Sequence, residues 1–205
     1  MLFSGPTNYF AKVGVQEGQT RDRQLDCLAD LGSALGNVGG ALWEMRNGYA
    51  LCTQAGLEQI NQQLAACTDS ELNTLRDLLR IGLHWDVEVT DAKTPGIHVT
   101  QAFCSALPVA YSQVNFALWK PLASLVLEAA YEATLWAGVL NYKNSGNRTV
   151  NLTMLGGGAF GNEPDWIIDA LRRALMLFSQ VALDVRIISY SATPPVLRAL
   201  AAEFA

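Results

Sequence analysis

The chain has 205 residues, 50% of them hydrophobic and 16% charged, which is enough apolar mass for one compact domain with a full core. A formal net charge of −5 and a pI near 5.0, with Lys and Arg scattered rather than striped along a face, exclude an electrostatic nucleic-acid surface. Four dispersed cysteines (Cys27, Cys52, Cys67, Cys104) and two histidines (His84, His98) show no C-x-x-C and no metal-ligand spacing, so a reduced cytoplasmic chain without metal or cofactor is expected.

Residues 1–6 lack a basic n-region and a long apolar h-region, which argues against a secretory signal. Residues 24–35 read as a helix, 36–40 as a break, and 41–45 as a short strand turning at Asn47-Gly48. Asp22, Asp26 and Asp30 repeat every fourth residue around Cys27, the pattern of a wet helical face rather than a metal cluster. A helix is expected over 54–66, and Ser70 opens another through Leu72, Leu75, Leu78 and Leu79. The later part of 81–89 alternates as a half-buried strand, placing His84, Asp86 and Glu88 on one face, either as a site or as a solvent face.

The second half is more regular. Strands are expected over 97–107, 149–155 and 183–190, and helices over 120–140, 163–181 and 195–204. Glu128 and Glu132 lie one helical turn apart; they exclude a membrane span and read as a solvated helix edge rather than an acid–base pair. Cys104 ends a strand without a positioned histidine, so it reads as a small buried residue, and Trp119, Trp136 and Trp166 read as packing. Alternating strands and helices predict a parallel central sheet covered on both faces, a three-layer α/β/α sandwich. The expected organisation is a single domain over 1–205, with a variable N-terminal half (1–95) and a βαβαβα ligand-binding half (96–205). Right-handed crossovers would bring 104–108, 156–162 and 189–191 to one rim, where ligands bind such sheets.

The densest signal is Gly156-Gly157-Gly158-Ala159-Phe160-Gly161-Asn162, between an apolar strand and an amphipathic helix. Glycines permit positive φ and close backbone approach, and Asn162 is placed to cap the helix, followed by Pro164 and Asp165. Such a junction holds an anion on unpaired N–H groups. Gly156, Gly158 and Gly161 also satisfy the dinucleotide-binding spacing, but Asp184 begins its strand instead of ending it, so the ribose contact of an oxidoreductase is missing. No Lys-Ser/Thr follows the glycines, which excludes a phosphate-cleaving P-loop. Arg148, Arg172 and Arg173 lie about 15–20 Å from the loop along their elements. Backbone amides alone suit a pyrophosphate that is gripped and left intact.

Residues 149–162, the helix after them and residues 183–190 resemble the C-terminal half of a macrodomain. The run 158–164 is similar to microbial-type poly(ADP-ribose) glycohydrolases. Residues 18–32, 42–49 and 101–112 resemble an uncharacterised macrodomain-like family over most of the chain; its longer members carry a segment upstream of residue 8, so a short form is expected. The resemblance implies that Gly156, Gly157, Gly158, Ala159, Phe160, Gly161 and Asn162 wrap the diphosphate and distal ribose of ADP-ribose, with Phe160 against the ribose and Tyr190 stacked on adenine. Ser105, within Cys104-Ser105-Ala106, falls where the strand into the first loop ends, and Asp86 takes the place of the adenine-reading Asp. The Asn-Ala-Ala-Asn sequence and its following glycines are absent, and so is the glycohydrolase signature, of which Gln16-Glu17 is a poor remnant. The chain is thus expected to bind ADP-ribose or a related NAD-derived nucleotide, free or on ADP-ribosylated protein, with no membrane or nucleic-acid partner. The enzymatic version is hydrolysis of an ADP-ribosyl linkage with Asp86 or Glu88 activating water. The alternatives are a non-catalytic reader or sequestering module and an NAD(P)-dependent oxidoreductase.

Overall fold

The computed structural model describes residues 25–190 and 192–204. Asp22, Gln16-Glu17, the N-terminal reading at 1–6, the first residue of the 24–35 helix, part of the 18–32 run and Ser191 lie outside them. In chain order the elements are α1 (Ala29–Leu35), β1 (Trp43–Arg46), β2 (Tyr49–Cys52), α2 (Gln54–Ala66), α3 (Asp69–Arg76), β3 (Gly82–Glu88), β4 (His98–Phe103), α4 (Phe116–Ser145), β5 (Thr149–Thr153), α5 (Pro164–Leu177), β6 (Asp184–Ile188) and α6 (Pro195–Glu203).

Local chemistry explains most boundaries. Thr53 caps α2 by accepting from the Gly56 N–H at 2.9 Å. Thr68 and Glu71 form a reciprocal capping box on α3, and the hydrogen bonds from Thr68 hold the Glu71 carboxyl below its ordinary range. Asn115 caps α4 through the Ala117 N–H, so the helix starts earlier than the apolar pattern indicates and runs through Pro121 to a left-handed Gly146. Leu31, Leu57, Ile60, Trp119, Leu127, Leu135, Ile167, Leu171 and Leu200 belong to one core drawn from both halves of the chain. Helix α4 is its spine, in contact with α2, α3 and α5.

The expected central sheet does not form. The described strands make three separate pairs: an antiparallel β1–β2 hairpin, an antiparallel β3–β4 pair and a parallel β5–β6 pair. Strand β3 reaches β4 through a short connection closed by the Val89 N–H on the Ile97 carbonyl, and without a crossover helix only antiparallel pairing is possible. β5 does reach β6 through α5, as a βαβ unit requires. β4 leads into α4 and then β5, yet no ladder joins β4 to β5. Both strands lie on α4, where a Cβ on Gly138 would come within 2.5 Å of Val150. Between them runs a trench of about 600 Å³ lined by His98, Thr100, Ala102, Asn141, Asn151 and Thr153, among others. The expected three-layer α/β/α sandwich is therefore not formed: β4 and β5 each pack on α4 as members of separate two-stranded pairs.

Candidate functional site

Two of the three segments expected at one rim meet closely. The 104–110 segment leaves β4 and passes behind the glycine loop that leaves β5. Gly156, at φ 77°, sits so near it that a Cβ would lie 2.2 Å from the Ala106 Cβ. Gly161, at φ 68°, is similarly close to Ala110, at 2.8 Å. These two glycines are required by the fold, because neither the left-handed backbone nor the contact admits a side chain.

Asn162 locks the arrangement. Its Nδ2 donates to the Leu107 carbonyl at 2.8 Å and toward the Gly156 carbonyl at 3.5 Å, and the residue is buried. The expected helix cap is therefore not made: Glu163 is the N-cap residue of α5 and has no capping side-chain bond, because the Asn162 amide is turned inward to tie two loops. Asn162 Oδ1 has no partner among the described residues. From below, the Tyr131 hydroxyl donates to the Thr153 carbonyl at 2.7 Å and accepts from the Leu155 N–H at 2.9 Å, fixing the exit of β5. Burial pushes the Tyr131 phenol well above its ordinary range.

The front of the loop differs from its back. Within it, the Gly157, Gly161 and Asn162 N–H groups bond to Met154, Gly158 and Gly156 carbonyls. The N–H groups of Gly158, Ala159 and Phe160 have no acceptor among the described residues, and Gly157 to Ala159 are exposed. A Cβ on Gly158 would meet nothing within 4 Å, and its φ is not positive. Neither packing nor backbone conformation requires glycine there. Glu163 and Asp165 already bring negative charge to the first turn of α5, so an anion is better served by the loop amides than by the helix end.

Phe160 is enclosed by rings that sequence reasoning missed. Its ring centroid is 5.6 Å from that of Tyr111 and 5.8 Å from that of Tyr49, both edge-on. Tyr49 comes from β2 and Tyr111 from the turn after 104–108, and no sequence pattern links them. Ser105 spends its hydroxyl on the Ala106 carbonyl at 2.9 Å. Tyr190 follows β6 at the same end as the loop, fully exposed. The rim thus gathers Ser105, Gly156 to Asn162 and, at its outer edge, Tyr190.

Asp86 and Glu88 are not at this rim. They lie at the end of β3 that pairs with the beginning of β4, where Glu88 opposes His98, roughly 17 Å along β4 from the segment that meets the loop. One extra residue between His84 and Val87 bulges β3, with Asp86 at φ 51°. The bulge reverses the alternation, so the shared face expected for His84, Asp86 and Glu88 is broken. Asp86 instead engages His98, whose Nδ1 lies 3.1 Å from the Asp86 carbonyl and 3.3 Å from Oδ1. At the same end of the trench Thr100 donates to Asn141 at 2.7 Å, and Asn141 donates to the Asn147 carbonyl at 3.2 Å.

Other titratable groups are tied into structure. Glu128 pairs with Arg76 and Glu132 with Arg173, each at 2.6 Å and only partly exposed, so they are interhelical ties rather than a solvated edge. Arg172 is held by Glu203 and Asp169, and no arginine is free to serve the loop from α5. Burial raises the Cys104 thiol above its ordinary range, the reverse of an activated nucleophile. Asp26 accepts from the Leu28 N–H and Asp30 pairs with Arg80; among the described residues no cluster of side chains could hold a metal ion. Also among them, no helix is long and apolar enough to cross a membrane.

Comparison with known proteins found no matching family model, no matching curated protein and no matching solved structure.

Proposed function

We propose that the chain binds ADP-ribose or a related NAD-derived nucleotide on the 156–162 loop, as a reader or sequestering module that leaves the ligand intact. The observation that carries this reading is the run of N–H groups at Gly158, Ala159 and Phe160, without acceptors among the described residues, on a loop whose back is locked by Asn162. Fixed amides bind a diphosphate without rearrangement, and the arginines of α5 are paired elsewhere rather than aimed at it. ADP-ribose is favoured among diphosphates by the resemblance of the loop sequence to macrodomains.

Hydrolysis has less support than binding. Asp86 lies at the far end of the trench and Glu88 at the same end of β3, opposite His98, out of reach of a ribose whose diphosphate rests on the loop. The oxidoreductase reading is weaker still: Asp184 begins β6, pairs with Arg186, and sits at the end of the strand away from the loop.

Calorimetric titration with ADP-ribose, NAD, NADP and ATP tests the reading, with ADP-ribose expected to bind tightest. Binding of NADP alone would count decisively against it. Gly158→Glu is expected to reduce ADP-ribose affinity by about a hundredfold, because a carboxylate enters the anion site, a cost on the order of 3 kcal/mol. The variant's melting temperature should remain that of the unaltered chain, since the position is open. Incubation with ADP-ribosylated protein should release no free ADP-ribose; release would establish catalysis.

A further inference from the structure

We propose that Tyr111 and Tyr49 form the nucleobase subsite of this ligand, with Phe160 as the residue shared between base and diphosphate. The inference rests on the diphosphate reading of the loop but adds residues that the loop sequence does not contain.

The three rings form a closed set. Tyr49 and Tyr111 are 5.4 Å apart at an interplanar angle of 76°, and each meets Phe160 at a near right angle, 82° for Tyr49 and 88° for Tyr111. Edge-to-face packing of this kind holds aromatic rings in defined orientations. The set is also fixed to the loop, because the Ala110 N–H, next to Tyr111, donates to the Phe160 carbonyl at 3.0 Å and the Ala110 Cβ lies against Gly161. A ring cluster serving only as a plug would be buried, as Trp119 is. Tyr111 instead remains 50% exposed and Tyr49 37% exposed.

Phe160 contributes one of the three open amides and the central ring of the trio. A ligand with its diphosphate on those amides therefore meets aromatic surface within one residue of its anion. A nucleotide has this shape: a flat π system joined to a diphosphate by a single sugar. The rings carry no charge, and Arg46, opposite Tyr49 in the hairpin, is paired with Glu44, so the surface offers a base its π faces rather than a second anion site. Stacking on tyrosine and phenylalanine adds affinity without requiring a specific base edge.

Titration of inorganic pyrophosphate and ADP into the full chain and its Tyr111→Ala, Tyr111→Phe and Tyr49→Ala variants tests the subsite. ADP should bind the unaltered chain about tenfold more tightly than pyrophosphate. Tyr111→Ala should remove most of that advantage while leaving pyrophosphate affinity within about twofold, Tyr111→Phe should restore it, and Tyr49→Ala should act in the same direction more weakly. Equal loss of pyrophosphate and ADP in Tyr111→Ala would overturn the proposal, because the ring would then only hold the loop. Unchanged ADP affinity in both alanine variants would also overturn it. If the unaltered chain binds pyrophosphate as tightly as ADP, the base subsite is wrong and the loop reading stands. If it binds neither, the loop reading fails and this inference with it.

Discussion

The rim loop and the trench both sit on α4 and both collect polar groups, but they use them in opposite ways. In the trench, polar side chains at the far end are already engaged: Thr100 donates to the Asn141 side chain, Asn141 to the Asn147 carbonyl, and His98 meets the Asp86 carbonyl. At the rim the side chains are spent holding the back of the loop, while the backbone amides at its front are left without acceptors among the described residues. The trench, although it encloses about 600 Å³, is therefore the less persuasive ligand site. What distinguishes a site is hydrogen-bonding capacity held in place but not used internally.

Alkaline titration probes buried groups of the trench wall, Cys104 and Tyr131, together with the core thiol of Cys52 on β2, and should produce the largest effect. Burial raises the Cys104 thiol and the Tyr131 phenol, and it pushes the Cys52 thiol up from 9.0 to about 12. A raised folded value means that the protonated form is favoured by folding, so its contribution is fully present below pH 9.0 and is lost as pH climbs toward about 12. Denaturant midpoints measured across this window should fall steadily; a flat profile would show that these groups are wet.

Gly156→Val strikes the back of the rim. A β-branched residue there combines a left-handed φ of 77° with a 2.2 Å approach to Ala106, and a loss of about 3 kcal/mol in denaturant unfolding is expected. The contrast with Gly158→Glu is diagnostic, because the two glycines lie two positions apart and only one is needed by the fold. Tyr131→Phe joins the two regions, since its hydroxyl lies in the trench wall and supports Thr153 and Leu155. Its removal should cost about 2 kcal/mol and speed amide exchange at Leu155. The smallest effect is expected from Asp86→Asn, at the far end of the trench. ADP-ribose affinity should stay within about twofold, and a large loss would mean that the ligand extends down the trench after all.

Much of the secondary structure was legible before the fold was seen. The helices expected over 54–66 and 195–204 and the strands expected over 149–155 and 183–190 follow hydrophobic periodicity, with the Thr53 cap starting α2 and Pro195 opening α6, all of which act within a few residues. The meeting of 104–108 with 156–162 matches the expected rim but arises differently: no sheet joins β4 to β5, and the Asn162–Leu107 bond and the Gly156–Ala106 approach hold the segments together. The bulge at Asp86 was not legible, because it arises where β3 fits its partner, and neither strand alone shows the mismatch. Asn162 departs from local expectation for a related reason: its position fits a helix cap, but the Leu107 carbonyl, 55 residues away, competes for its amide.

The sequence by itself determined the glycine loop, its setting between β5 and α5, and the lack of a P-loop Lys-Ser/Thr after the glycines, because these depend on residue identity and short spacing. Only the tertiary structure decided which glycines serve the fold and which lies open, that Tyr49 and Tyr111 enclose Phe160, and that β4 and β5 stay apart. Those outcomes are set by contacts between segments distant in the chain, where packing against α4 and competition for hydrogen-bond partners outweigh local preference.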